Sequence, residues 1–205
     1  MTAPRVKLDI DATRDKLAAL GLGHAVETLE SLLGEAVRAE MPAHVFLDRL
    51  LDAERSGREE RRIKTMLKMS KIPTGQTLEN FDFAFQPAIE RSRIETLATG
   101  SWIRNAEVIL MQGPPGVGKS HLLVSLGVRA IQIGFSVQYY RFDELLTALG
   151  ADAHIPPSWL KSKKYMSSSV LLIDEMGYNP MNRDEASRLC PGAFSNRPRQ
   201  VLILF

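Results

Sequence analysis

The 205-residue sequence contains one cysteine, Cys190. An intrachain disulfide framework is therefore excluded, and no second thiol stands at CxxC spacing to suggest zinc. The pattern agrees with a reducing compartment, and Cys190 reads as an unreactive thiol. Long apolar runs are missing too. None approaches the roughly 18 residues that span a bilayer, so no membrane partner is expected. The N-terminal stretch MTAPRVKLDIDATRDKL carries acids and bases early and lacks an apolar core, so no secretory signal is read and a cytoplasmic location is expected. A net charge of +2 is too small to argue for nucleic acid on its own. The four histidines are scattered, with no carboxylates at metal-ligand spacing. Repeats and low-complexity tracts are absent. What is present is ordinary: 44% hydrophobic and 24% charged residues, close to the averages of globular proteins. The length suits one α/β domain with a small helical appendage and excludes two large domains.

The positive charge is concentrated. Between Glu54 and Lys71, the basic residues Arg55, Arg58, Arg61, Arg62, Lys64, Lys68 and Lys71 oppose only Glu54, Glu59 and Glu60. Such a run can lie against phosphates or simply keep a helix face soluble, and both readings stay open at this point. The pattern around it is helical. Val26, Leu29, Leu33 and Val37 recur at the spacing of one helix face. Pro42 suits the first turn of the next helix, whose buried stripe would be Val45, Phe46, Leu50 and Leu51. Ile63, Met66 and Leu67 carry the spacing on until Pro73 stops it. Residues 1–72 thus read as a helical module.

The segment IPTGQTLENFDFAF, residues 72–85, loses this periodicity and reads as a connector to a second domain over residues 73–205. A helix is expected from Pro87 to Thr99, closed by Gly100. Short apolar runs then alternate with helical segments: EVILMQ (107–112), FSVQYY (135–140), SVLLIDE (169–175) and QVLILF (200–205). Runs of this kind predict buried strands of a parallel sheet flanked by helices, an α/β architecture.

The octet GPPGVGKS, residues 113–120, matches G-x-x-x-x-G-K-[ST] and lies between an expected strand and a helix beginning near Lys119. Gly113, Gly116 and Gly118 permit the turns that a phosphate-cradling backbone needs, with Pro114, Pro115 and Val117 between them. The following helix adds the partial positive charge of its N-terminus. Lys119 would reach the β- and γ-phosphates of ATP, the Ser120 hydroxyl would bind Mg²⁺, and His121 closes the set of positions at the loop. A second motif, VLLIDE (170–175), delivers two acids at the end of a strand, where ligands of open parallel sheets bind. Asp174 would hold Mg²⁺ and Glu175 would orient or deprotonate the attacking water, which points to hydrolysis.

Read with TLENFDFAF (77–85), LATGSWI (97–103), GPPGVGKSHL (113–122) and LLIDEMGYNPMNRDEAS (171–187), these motifs resemble the IstB family. These are AAA+ ATPases, P-loop NTPases that help insertion sequences transpose and are related to DnaC helicase loaders. The resemblance implies ATP-dependent self-assembly into an oligomer on double-stranded DNA, deformation of that DNA, and activation of the transposase of the same element. It also implies that the helical module engages DNA, with Arg55, Arg58, Arg61, Arg62, Lys64 and Lys68 as candidate contacts.

After Ser187 the chain departs from that pattern. It reads RLCPGAFSNRPRQVLILF, with Pro191, Gly192 and Pro198 where the family continues a helix. The expectation is a truncated or frame-shifted copy without sensor residue, trans-acting arginine or lid, so that binding outlasts catalysis. A DnaC-like helicase loader shares the same nucleotide core and is the nearest alternative. A small-molecule P-loop kinase is a third reading, against which Glu175 counts, and a fragment unable to fold is a fourth.

Overall fold

The computed structural model describes residues 9–152, 154–160 and 162–175, together with the backbone of residues 200–204. Cys190 and the stretch after Glu175 that carries the resemblance, residues 176–187, lie outside these residues. By contact the chain forms two compact units, Met1–Lys64 and Thr65–Phe205.

The first unit is helical: α1 (Ile10–Ala19), α2 (Gly23–Arg38) and the greater part of α3 (Ala43–Ser70). Asp9 caps α1, its carboxylate accepting from the backbone N–H of Asp11 at 3.1 Å. Pro42 stands just before α3, and its carbonyl accepts from Val45 and Phe46. Ala25, Leu29 and Leu50 form the buried core, with Leu17, Leu22, Leu32, Leu33 and Phe46 packed around it. Two residues expected in the stripes are exposed instead: Val37 by 79% and Leu51 by 50%. Leu50 rather than its neighbour faces the core. Val37 lies in the last turn of α2, beyond Leu33, the last α2 residue packed around that core.

The second unit begins inside α3, earlier than the change of sequence pattern at residue 72. The cause is packing: the Met69 carbonyl accepts from Gln138 Nε2 at 2.9 Å, and Ile72 is buried. Residues 72–85 form turns without regular structure. The helix expected from Pro87 begins at Arg91 instead (α4, Arg91–Ala98), because residues 83–90 close successive turns, Gln86 onto Phe83 and Ile89 onto Gln86. After Gly100, at φ 71°, come α5 (Ser101–Arg104), β1 (Ile109–Met111), α6 (Lys119–Gln132) and β2 (Val137–Arg141). Then follow α7 (Phe142–Ala151), α8 (Pro157–Leu160), α9 (Lys164–Ser167), β3 (Val170–Asp174) and β4 (Gln200–Leu204).

The four strands form one parallel sheet in the order β1-β4-β3-β2. Alternation along the strands separates two faces. Tyr140, Leu171 and Ile173 point to one side, where they pack with Phe142 and Leu145 of α7 and Tyr165 of α9. Tyr139, Leu172 and Asp174 belong to the other side, because Tyr139 pairs with Leu172 and Arg141 with Asp174. There α6 buries Leu122, Leu123, Val124, Leu126, Ala130 and Ile131, each larger side chain contributing about 1.5–3 kcal/mol. All five residues of β3 are buried, as expected of an inner strand. At the edge, β1 leaves Leu110 49% exposed.

Candidate functional site

Between β1 and α6 the chain must reverse direction within a few residues. Gly116 and Gly118 do this at φ 81° and 88°, in the left-handed region that costs other residues roughly 1–2 kcal/mol. Space imposes a second demand at Gly118: a Cβ there would lie 2.7 Å from the Phe81 ring. Lys119 opens α6 and turns back over the loop, its ammonium donating to the carbonyls of Gly113 at 2.8 Å and Pro114 at 2.9 Å. A cation thus sits at the loop's own mouth, on neutral carbonyl acceptors. Pro115 is exposed and Val117 partly buried.

Ser120 and Asp174 are 54 residues apart in sequence and meet in space, the Ser120 hydroxyl donating to Asp174 Oδ1 at 3.1 Å. Asp174 Oδ1 also accepts from the Glu175 backbone N–H at 2.9 Å, and Oδ2 accepts from the Tyr139 hydroxyl at 2.9 Å. The carboxylate is only 5% exposed, and among the described residues no ion pair reaches it. Burial, then the Asp174 carboxylate, push the Tyr139 phenol well above its ordinary range, so it remains a donor. Glu175 has φ 61°, a backbone state uncommon outside glycine. Its carboxylate is ion-paired with Arg141 at 2.5 Å.

The loop, Lys119, Ser120, Asp174 and Glu175 are therefore gathered at the carboxyl end of the sheet. His121 is placed differently. Its Nε2 lies 2.9 Å from both the Thr77 carbonyl and Asn80 Oδ1, and its ring meets Phe81 edge-on, so it clips the connector to α6. Tyr139 and Arg141 were not singled out from sequence. Their positions at the carboxyl end of a parallel strand are the signal that marks them, but only once β2 is known to pair with β3.

The basic candidates on α3 have partners close by. Arg55 pairs with Asp52, Arg58 with Glu54 and the Gly21 carbonyl, and Arg62 with Glu59, while Arg61 meets His24. Lys64 and Lys68 are exposed one helical turn apart.

The donor set fits the groups that the motifs imply. A hydroxyl and a carboxylate are hard oxygen ligands suited to Mg²⁺, and a glycine-bent loop opening a helix suits phosphate. Loop, helix and acid-tipped strand on a parallel sheet define the class of P-loop nucleotide-binding domains. Within that class the chain belongs to the family of IstB-like ATP-binding proteins, whose profile matches residues 15–192. It is 37% identical over 171 residues to a Pseudomonas aeruginosa protein named as an ATP-binding protein of insertion sequence IS21, a match covering 83% of this chain and 64% of the relative. A Geobacillus stearothermophilus relative, named for insertion sequence IS5376, is 38% identical over 70% of this chain and 57% of its own length. A third, named for IS232 of Bacillus thuringiensis subsp. berliner, is 29% identical over 83% of this chain and 68% of its own. The chain thus spans less than two thirds of the first two relatives. Among the described residues, no helix is long and apolar enough to cross a membrane.

Proposed function

We propose that residues 113–120 with Asp174 and Glu175 bind ATP and Mg²⁺ and hydrolyse the nucleotide. The observation that carries this reading is the Ser120–Asp174 contact, a hydroxyl and a buried carboxylate 3.1 Å apart beside a lysine-bearing loop, with no ion pair to that carboxylate among the described residues. Mg²⁺, when bound, would supply positive charge that offsets that of the phosphates. Lys119 would exchange its loop carbonyls for phosphate oxygens, a stronger, charge-assisted bond. Ser120 and Asp174 would hold the cation. Glu175 would take the proton of the attacking water, and to do so its carboxylate must leave Arg141.

The relatives are named as ATP-binding proteins of insertion sequences, which supports a wider role in transposition over one in replication. The protein would act in the cytoplasm as an ATP-assembled oligomer on double-stranded DNA, partnering the transposase of its element. The helical module, residues 1–72, would serve assembly and DNA contact, and residues 73–205 would bind the nucleotide. Of the six basic candidates, Lys64 and Lys68 are the most accessible for phosphates, since Arg55, Arg58, Arg61 and Arg62 have partners within the module.

Calorimetric titration with ATP tests the site. Lys119→Ala should weaken binding at least about 100-fold, because it removes the charge facing the phosphates, while Glu175→Gln should retain binding and lose phosphate release. Equal affinity in wild type and Lys119→Ala would end the assignment. Duplex binding should fall with salt, and the double variant Lys64→Ala, Lys68→Ala should flatten the log–log slope by about two units. A slope unchanged by the double variant would remove these lysines from the DNA surface.

A further inference from the structure

Asp174 is held from two directions, and only one of them belongs to the motifs. Ser120 and the Glu175 N–H both donate to Oδ1; among the described residues Tyr139 alone donates to Oδ2. An aspartate carboxylate turns about a broad, nearly two-fold torsion at Cβ–Cγ that moves both oxygens together, so donors gathered on one oxygen leave part of this rotation open. A donor on the second oxygen removes this freedom. Tyr139 can supply such a fixed donor because its backbone is paired to β3 in register with Leu172, and its side chain lies on the sheet face that carries Asp174.

We infer that Tyr139 is a positioning residue for the cation: its hydroxyl holds Asp174 Oδ2 so that Oδ1 stays turned to Ser120, the pair of oxygens that would receive Mg²⁺. The inference rests on the Mg·ATP reading of the site and deepens it. The Tyr139 hydroxyl bonds to the acid and not to the phosphate loop. Its contribution therefore belongs to the cation-dependent part of nucleotide affinity and not to the part contributed by Lys119 and the loop backbone. Outer groups that orient metal ligands typically alter metal affinity 10–100-fold, and a single neutral phenol stands at the low end of that range.

The test uses the full chain with the non-hydrolysable analogue AMP-PNP, in two arms: analogue affinity in EDTA, and Mg²⁺ titrated into protein already holding the analogue. Tyr139→Phe keeps the ring and removes only the hydroxyl. The expected result is Mg²⁺ affinity about tenfold weaker, with EDTA affinity and melting temperature unchanged. Asp174→Asn is the reference and should lose the Mg²⁺ response. Unchanged Mg²⁺ affinity in Tyr139→Phe, where wild type responds to Mg²⁺, overturns the positioning role and leaves the site reading intact. Equal losses with and without Mg²⁺ overturn it as well, since they mark a merely structural residue. A wild type whose analogue affinity ignores Mg²⁺ brings down both readings together.

Discussion

Glu54 and Asp174 are each 5% exposed, one in the helical module and one at the end of β3, and they are held in opposite ways. Glu54 reaches across to α2, whose N-cap, Leu22, offers no side-chain acceptor. Its Oε2 accepts from the Ala25 N–H at 2.9 Å, answering one of the donors that a helix start leaves unpaired, and its Oε1 accepts from Arg58 at 2.6 Å. The charge is neutralised on the spot. Among the described residues Asp174 has three donors, all of them neutral: the Ser120 and Tyr139 hydroxyls and the Glu175 N–H. A buried carboxylate without a counter-charge is costly, so it persists where something else supplies the cation. Hydrogen bonding alone therefore does not separate structural acids from ligand-facing ones. The presence or absence of a paired cation does.

The largest effects should fall where this contrast is sharpest. Asp174→Asn should abolish the Mg²⁺-dependent gain in nucleotide affinity, about 100-fold, yet move the melting temperature little, because lost hydrogen bonds are offset by removal of an uncompensated buried charge. Glu54→Gln should do the reverse. It leaves one neutral amide oxygen to serve both Arg58 and the α2 N-terminus, lowering the melting temperature by several degrees while leaving ATP titrations unchanged. If Asp174→Asn instead destabilises the chain as much as Glu54→Gln, the two acids are alike and the contrast fails.

Gly118→Ala comes next. The left-handed backbone and the Phe81 ring at 2.7 Å both resist a methyl group, so a cost of about 1–3 kcal/mol is expected in denaturant unfolding, together with weakened ATP binding. Gly116→Ala has the same backbone strain but nothing within 4 Å of the new methyl, so it should destabilise less. Equal losses at the two positions would show that the Phe81 contact contributes nothing.

The loop, the start of α6 at Lys119 and the acid-tipped β3 were legible in the sequence because each is a local pattern: glycines and a lysine at fixed spacing, an apolar run ending in Asp174 and Glu175. Tyr139 and Arg141 were not. Their roles depend on β2 lying beside β3, and pairing between strands this far apart leaves no local mark. The apolar run also ended at Tyr140, one residue short of the arginine that pairs with Glu175. Val37 and Leu51 show the converse limit, since helical spacing identifies a face but not how far its packing partner extends. The basic run on α3 was legible as charge. Its pairings with Asp52, Glu54 and Glu59 are three- and four-residue contacts along the same helix and follow from spacing. The contacts of Arg58 with the Gly21 carbonyl and of Arg61 with His24 do not, because only the folded chain brings α3 to the start of α2.

The smallest effect concerns acid. The Ala25 N–H, followed by Arg58, holds Glu54 below the ordinary carboxylate range despite the opposing effect of burial. A carboxylate lowered in the folded state binds fewer protons there than when unfolded. Its stabilisation is therefore complete above the ordinary range near pH 4.5 and is lost as pH falls through the lowered folded value. Asp152 behaves likewise in the second unit, lowered by Lys163 and then Tyr165. Melting of the wild-type chain should be flat from neutral pH down to about 5 and fall below that. In Glu54→Gln the melting temperature starts lower and should fall less steeply with acid, because one of the protons taken up on unfolding has no site. Parallel curves for the two proteins would mean that Glu54 titrates alike folded and unfolded, and the buried pairing with Arg58 would then carry no pH-dependent share of the module's stability.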